Sequence, residues 1–139
     1  MPSVRKSYDE ELLQLATLLA RMGHEAGAAI ESALTALRND DIELARSVVA
    51  RDSQIDASEH EIEHRCLQLL LRQQPVSGDL RSISSALRMI ADMERIGDQT
   101  ADIADVSKHL TGFQLEVHPK IFDMGKIASK MVNDSVNAF

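Results

Sequence analysis

The sequence predicts an all-α protein, an antiparallel three-helix bundle followed by a fourth helix that opens a second repeat. Three observations carry this. Apolar residues recur at 3-4 spacing over runs of about thirty residues, the pattern of long helices packed on helices. The prolines and the clusters of Asn, Asp, Ser and Gly fall mainly between those runs, where turns belong. Aromatic residues make up only 3%, with no Trp and one Tyr, which suits aliphatic helix packing better than a strand-rich core. A chain of 139 residues is long enough to bury one real core.

The elements follow in order. Met1 to Ser7 reads as a short polar arm, and helix 1 runs from about Tyr8 to Leu37, with Asp9, Glu10 and Glu11 favourable at its positive end. Its seam is Leu12, Leu15, Leu19, Met22, Ala26, Ala29, Ala33 and Ala36, flanked by Ile30 and Leu37. Gly23 and Gly27 weaken the helix by roughly 1 kcal/mol each relative to Ala, so tight packing is expected there. Arg38-Asn39-Asp40-Asp41 ends helix 1 and caps helix 2, which runs to about Gln73. The helix 2 seam is Ala45, Val48, Asp52, Ile55, Glu59, Ile62, Cys66 and Leu69, with acids at two core-type positions. Gln73-Gln74-Pro75-Val76-Ser77-Gly78 supplies the break, and Asp79 is a suitable N-cap.

Helix 3 spans about Asp79 to Leu110, roughly 48 Å at 1.5 Å per residue. Its expected seam is Leu80, Ile83, Leu87, Ile90, Glu94, Gly97, Ala101 and Ala104, which Glu94 breaks with a charge. Met89, Met93 and Ile96 form a second apolar stripe, expected to pack on helix 1 or, in the sharper reading, to line a partner groove. Thr111-Gly112 ends helix 3, and Pro119 restarts the chain as helix 4, to Phe139. A shift of 105 residues places Leu19 on Met124, Met22 on Ile127, Ala33 on Ala138 and Leu34 on Phe139. Helix 4 therefore reads as the start of a second, truncated copy of helix 1. The expected units are 1–112, a complete three-helix repeat, and 113–139, the first helix of the next. The stripe Ile121, Met124, Ile127, Met131 and Phe139 is then left open, which predicts a homodimer or a helix 4 folded back onto its own bundle.

Charge and composition exclude several classes. The 15 Lys+Arg against 22 Asp+Glu give a net charge of −7, which argues against a general nucleic-acid binder. No run approaches the ~20 apolar residues of a membrane span, and no signal-peptide pattern opens the chain. The single Cys66 fits a reduced, cytoplasmic protein and, on the seam, a buried small hydrophobe. No glycine loop for phosphates and no Ser/His/Asp elbow is present, so neither catalytic nor organic-cofactor residues are assigned.

The acids of helices 2 and 3 converge. A short break makes the two helices antiparallel neighbours, so residues whose numbers sum to about 150 lie opposite each other. Asp52 then faces Asp98, and Asp56 faces Glu94, as two i, i+4 pairs each on one helix face. Like charges so placed repel unless cations bridge them or protons neutralise them. The all-oxygen donor set points to a hard cation such as Mg²⁺, Ca²⁺ or Mn²⁺, or to iron, and disfavours structural zinc. The competing account leaves these acids solvated and paired with Arg51, Arg88 or Arg95. Glu59 is a candidate extra ligand, whereas Asp102 and Asp105 are expected to be solvated. His60 and His64 have the i, i+4 spacing of a helical metal pair but project away from the Asp52 line.

The series Arg51-Asp52-x-x-Ile55-Asp56, Gln73-Gln74-Pro75, Asp79-Leu80-Arg81 and Met93-Glu94-Arg95-Ile96-Gly97-Asp98 resembles the PhoU family over the chain from about Leu12 onward. That resemblance implies two spectrin-type three-helix bundles related by an internal repeat. It implies multinuclear metal, most often iron, held by paired acidic motifs that correspond to Asp52, Asp56, Glu94 and Asp98. Asp102 stands where the family usually has Asn. The helices of the second repeat that carry further pairs have no counterpart here. The resemblance also implies regulation without turnover: restraint of phosphate uptake and of the phosphate-starvation response, through the ATPase subunit of the phosphate ABC transporter and a sensor histidine kinase. Any membrane association is then peripheral. Two rivals stand beside it. A metal-dependent bundle enzyme of ferritin type needs repeated Glu-x-x-His pairs, and Glu61-x-x-His64 occurs once, off the acidic line. A metal-free interaction module would use the acids only to solvate one face.

Overall fold

The computed structural model describes residues 4–72, 77–113 and 116–139. They form four helices, α1 (Val4–Asn39), α2 (Ile42–Arg72), α3 (Ser77–Leu110) and α4 (Pro119–Asn137), with no strand among the described residues. The break at Gln73-Gln74-Pro75-Val76 lies outside the described residues. α1 begins before Tyr8, so the part of the polar arm from Val4 to Ser7 is helical. Tyr8 is itself buried and packs in the core with Leu15 and Leu69, so the preceding turn extends a helix that is already anchored.

Local chemistry sets the ends. Asp40 takes a left-handed conformation at φ 51°, which stops α1. The Asp41 amide bonds back to the Ala36 carbonyl at 3.0 Å, while its Oδ1 accepts the Leu44 amide at 3.0 Å and so caps α2. His118 does the same for α4, its Nδ1 accepting the Lys120 amide at 3.2 Å, with Pro119 opening the helix.

α1, α2 and α3 pack on one another, and α4 lies along α1. Ser58 meets Glu25 and Arg65 meets Gln14, which sets α1 and α2 antiparallel. The core has two ends. Large side chains fill one, with Leu15, Leu19, Met22, Ile55, Ile62, Leu69, Ile83, Ile90 and Met93. Ala33, Ala36, Ala45, Val48 and Ala104 fill the other.

The α2 seam is as expected: Ala45, Val48, Ile55, Ile62, Cys66 and Leu69 are buried, and Asp52 and Glu59 are half-buried. The α3 seam is displaced by one column. Ile83, Ile90, Gly97 and Ala104 are buried as expected, but their partners are Ala86, Met93, Thr100 and Ser107. Leu80 is 47% exposed, and Leu87 and Glu94 are half-buried beside the seam. Glu94 therefore keeps contact with water, and no charge interrupts the α3 core.

α4 folds back onto α1 through its small face. Gly125, Ser129, Val132 and Val136 meet Leu34, Gly27, Ile30 and Gly23, and the Arg38 guanidinium sits 4.3 Å over the Phe122 ring. Ile121, Met124, Ile127 and Met131 remain exposed. Met93 enters the core, while Met89 and Ile96 border a groove shared with Met131, Val132 and Val136 of α4.

Candidate metal centre

The acidic face forms because α2 and α3 are each unbroken through it and lie at the expected register. Gly97 sits opposite Asp52 and Ile55, and a Cβ there would come within 3.0 Å of Asp52 Oδ1 and 3.2 Å of the Ile55 methyls. Glycine thus lets Asp52 reach the α3 backbone, a contact that spacing alone does not reveal. Asp52 also falls between the two apolar clusters, one ending at Ile55 and the other at Val48.

The four acids converge as two overlapping triads. One oxygen each of Asp52, Asp56 and Asp98 lie within 4.8 Å of one another, and so do oxygens of Asp56, Glu59 and Glu94. Asp56 belongs to both, and Glu59 joins the set. Asp52 Oδ1 and Asp56 Oδ1 are buried with no hydrogen-bond partner among the described residues. A buried carboxylate oxygen left in that state is costly unless a cation or a proton meets it.

The protonation chemistry agrees. Burial, a hydrogen bond shared with Asp98 and the negative charge of Asp98, Asp56 and Asp102 push Asp52 up to about 6. A hydrogen bond with Asp98, then burial and the charges of Asp98, Glu59 and Asp56, push Glu94 up to about 7. Glu59 is raised mainly by burial, against a lowering by His60. Each shift has the sign of an acid that lacks a counter-charge.

The arginines do not supply one. Arg51 turns back along its own helix, its Nη2 bonding Ser47 Oγ at 3.0 Å. The ion pairs among the described residues, such as Lys108–Asp105 at 3.1 Å, leave out every acid of the two triads. Asp102 and Asp105 are exposed and stand outside the triads, as expected. His60 and His64 are exposed and also stand outside them. The donor set is all oxygen, the buried oxygens are orphaned and the local charge is negative, so these residues fit a hard cation.

A helical bundle with two acidic i, i+4 pairs facing each other across one helix pair is a carboxylate-lined type of helical domain. Comparison with known proteins narrows this. The PhoU domain model matches residues 19–107, and the chain belongs to the PhoU family. It is 34% identical over 137 residues to the phosphate-specific transport system accessory protein PhoU homolog of Clostridium acetobutylicum, covering 97% of this chain and 63% of that one. The corresponding homolog of Xylella fastidiosa is 38% identical over 135 residues, covering 96% and 56%. Crystal structures of the phosphate transport system regulatory protein PhoU from Streptococcus pneumoniae and of PhoU from Pseudomonas aeruginosa superpose with TM-scores of 0.86 and 0.89, at 32% and 31% identity. Each alignment covers 95% of this chain, and 62% and 64% of those chains respectively. The chain thus spans rather less than two thirds of the length of these relatives. Among the described residues no helix is long and apolar enough to cross a membrane.

Proposed function

We propose that this chain is a cytoplasmic, non-enzymatic regulator of phosphate uptake whose α2–α3 face holds a multivalent cation. Asp52, Asp56, Glu94 and Asp98 are the ligands, with Glu59 completing the set. The observation that carries the reading is the pair of buried, unpartnered oxygens on Asp52 and Asp56 at the junction of two carboxylate triads. Iron is the cation that the family resemblance favours, and Mn²⁺, Mg²⁺ and Ca²⁺ suit the same oxygen donors.

When bound, the cation supplies positive charge that replaces shared protons between α2 and α3. The residues do the rest: Gly97 admits Asp52, Asp56 links the two triads, and Asp98 couples Asp52 to Glu94. Clamping two helices of the bundle this way fixes the surface it offers to partners. The names of the relatives support a role beside the phosphate transporter. The partners that follow are the ATPase subunit of the phosphate ABC transporter and a sensor histidine kinase, and membrane contact is peripheral through them. The open α4 stripe supports a homodimer.

Thermal unfolding tests the site. A cation binding only the folded state at a hundredfold excess over Kd adds about 2.7 kcal/mol, a rise on the order of 10 °C for a domain of this size. Mn²⁺ or Fe²⁺ should raise the melting temperature by that order, and chelator should reverse it. Glu94→Ala/Asp98→Ala should fold without cation and lose the response. A response of equal size in that variant removes the assignment.

A further inference from the structure

The chain carries a second group of metal-type donors that the carboxylate site does not use. His60 and His64 sit in the middle of α2, a helix unbroken from Ile42 to Arg72, and both are exposed. Residues four apart on a helix share a face, with Cβ atoms about 5–6 Å apart, so two imidazoles can close on one ion. Ile62 between them is buried in the core at 1% exposure, which anchors this turn and holds the histidines outward. The Gln68 amide nitrogen lies 2.9 Å from His64 Nε2. With the amide nitrogen donating, His64 Nε2 is the acceptor of this contact. Glu59, Glu61 and Glu63 flank the pair, so the local field attracts cations.

We propose that His60 and His64 form an exposed two-imidazole site for a borderline divalent cation such as Zn²⁺, separate in chemistry from the all-oxygen site on the α2–α3 face. Imidazole selects Zn²⁺, Cu²⁺ or Ni²⁺, whereas clustered carboxylates select harder ions. The run His60-Glu61-Ile62-Glu63-His64 also has the His-Glu-x-x-His order that serves zinc in hydrolases. The structure separates holding from hydrolysis. Glu61, the residue in the general-base position of that order, is paired with Arg65 at 3.3 Å. The role assigned here is binding. It stands whether or not the carboxylates hold a cation.

Zn²⁺ titration of the full chain by calorimetry, in excess Mg²⁺ to occupy the carboxylates, provides the test. One Zn²⁺ equivalent should weaken by at least roughly tenfold in His60→Gln/His64→Gln, the scale carried by losing a metal's supporting contacts. That variant should keep its Mn²⁺-induced rise in melting temperature, because both side chains face solvent. Glu94→Ala/Asp98→Ala should show the reverse, with Zn²⁺ binding kept and the Mn²⁺ response gone. Gln68→Ala removes a competitor for His64 Nε2 and should tighten Zn²⁺ binding. In NMR, substoichiometric Cu²⁺ should broaden the imidazole resonances of His60 and His64 before those of His24, His109 and His118. Unchanged Zn²⁺ affinity in the histidine variant, its loss in the carboxylate variant, or uniform broadening across all five histidines overturns the proposal.

Discussion

Two helix pairs in this molecule use glycine for close approach, and they use it for opposite ends. Between α2 and α3, Gly97 receives a carboxylate, Asp52, together with the Ile55 methyls. Between α1 and α4, Gly23 and Gly125 receive Val136 and Leu34, and Gly27 faces Asn133 and Ser129. The first contact brings charge to a helix backbone beside a cluster of like charge. The second is mainly aliphatic knobs in glycine holes, which packs α4 without large residues on its inner face. The same sequence device therefore marks a site in one pair and a joint in the other. What distinguishes them is the chemistry of the residue opposite, not the glycine.

The largest effect expected from breaking this comparison is at Gly97. In Gly97→Ala the new methyl meets Asp52 Oδ1 at 3.0 Å and two Ile55 methyls at 3.2 Å, so both side chains must give way in a packed contact. Overpacking of about 1–3 kcal/mol exceeds the roughly 1 kcal/mol that alanine gains in helix propensity. Denaturant titration should show a net loss of stability, and calorimetry should show a weaker Mn²⁺ site. Retention of both properties would mean that Asp52 does not depend on the close approach.

At the joint, the glycines should divide. Gly23→Ala drives its methyl into the stiff, β-branched Val136 and should destabilise by about 1–2 kcal/mol. Gly27→Ala meets only Asn133 Oδ1 at 3.4 Å and Ser129 Oγ at 3.5 Å, so helix propensity should prevail and stabilise by up to about 1 kcal/mol. Equal effects of the two substitutions in urea unfolding would show that α4 slides freely on α1.

Titration breaks the comparison from the side of charge. Asp52 is raised to about 6 and Glu94 to about 7, so the folded chain binds more protons than the unfolded chain between about pH 4 and 7. These acids contribute their full stability below the unfolded value near 4 and lose it as pH rises through 7. In chelator, the melting temperature should therefore fall from pH 5 to pH 8. Asp98→Asn should flatten that fall, because Asp98 perturbs both groups. A slope that is unchanged in Asp98→Asn would move its origin elsewhere.

Much of this was legible before any coordinates. The α2 seam followed from its spacing, since its core positions are mostly large and its two acids stand out against them. The antiparallel register brought Asp52, Asp56, Glu94 and Asp98 together, because a short connection leaves little freedom. The α3 column was misread for a physical reason. Leu80 and Leu87 outweigh Ala86, Thr100 and Ser107 in any hydrophobic count, yet small residues are what a close helix contact buries. The same bias hid the inner face of α4, where Gly125 and Ser129 pack while Met124 and Ile127 stay exposed. The arginines near the acids suggested neutralisation, but nearness in sequence does not fix where a long side chain points, and Arg51 turns to Ser47.

Cys66 gives the molecule a built-in clock. It is fully buried on the α2 seam, and burial pushes its thiol up to about 11. The thiolate is the reactive form, so an alkylating reagent finds this sulfur only when the helices part. Because it is the sole thiol, every labelled molecule records one opening of that core. The labelling rate thus counts how often the bundle breathes, with no engineered probe and no change to the acids a few turns away.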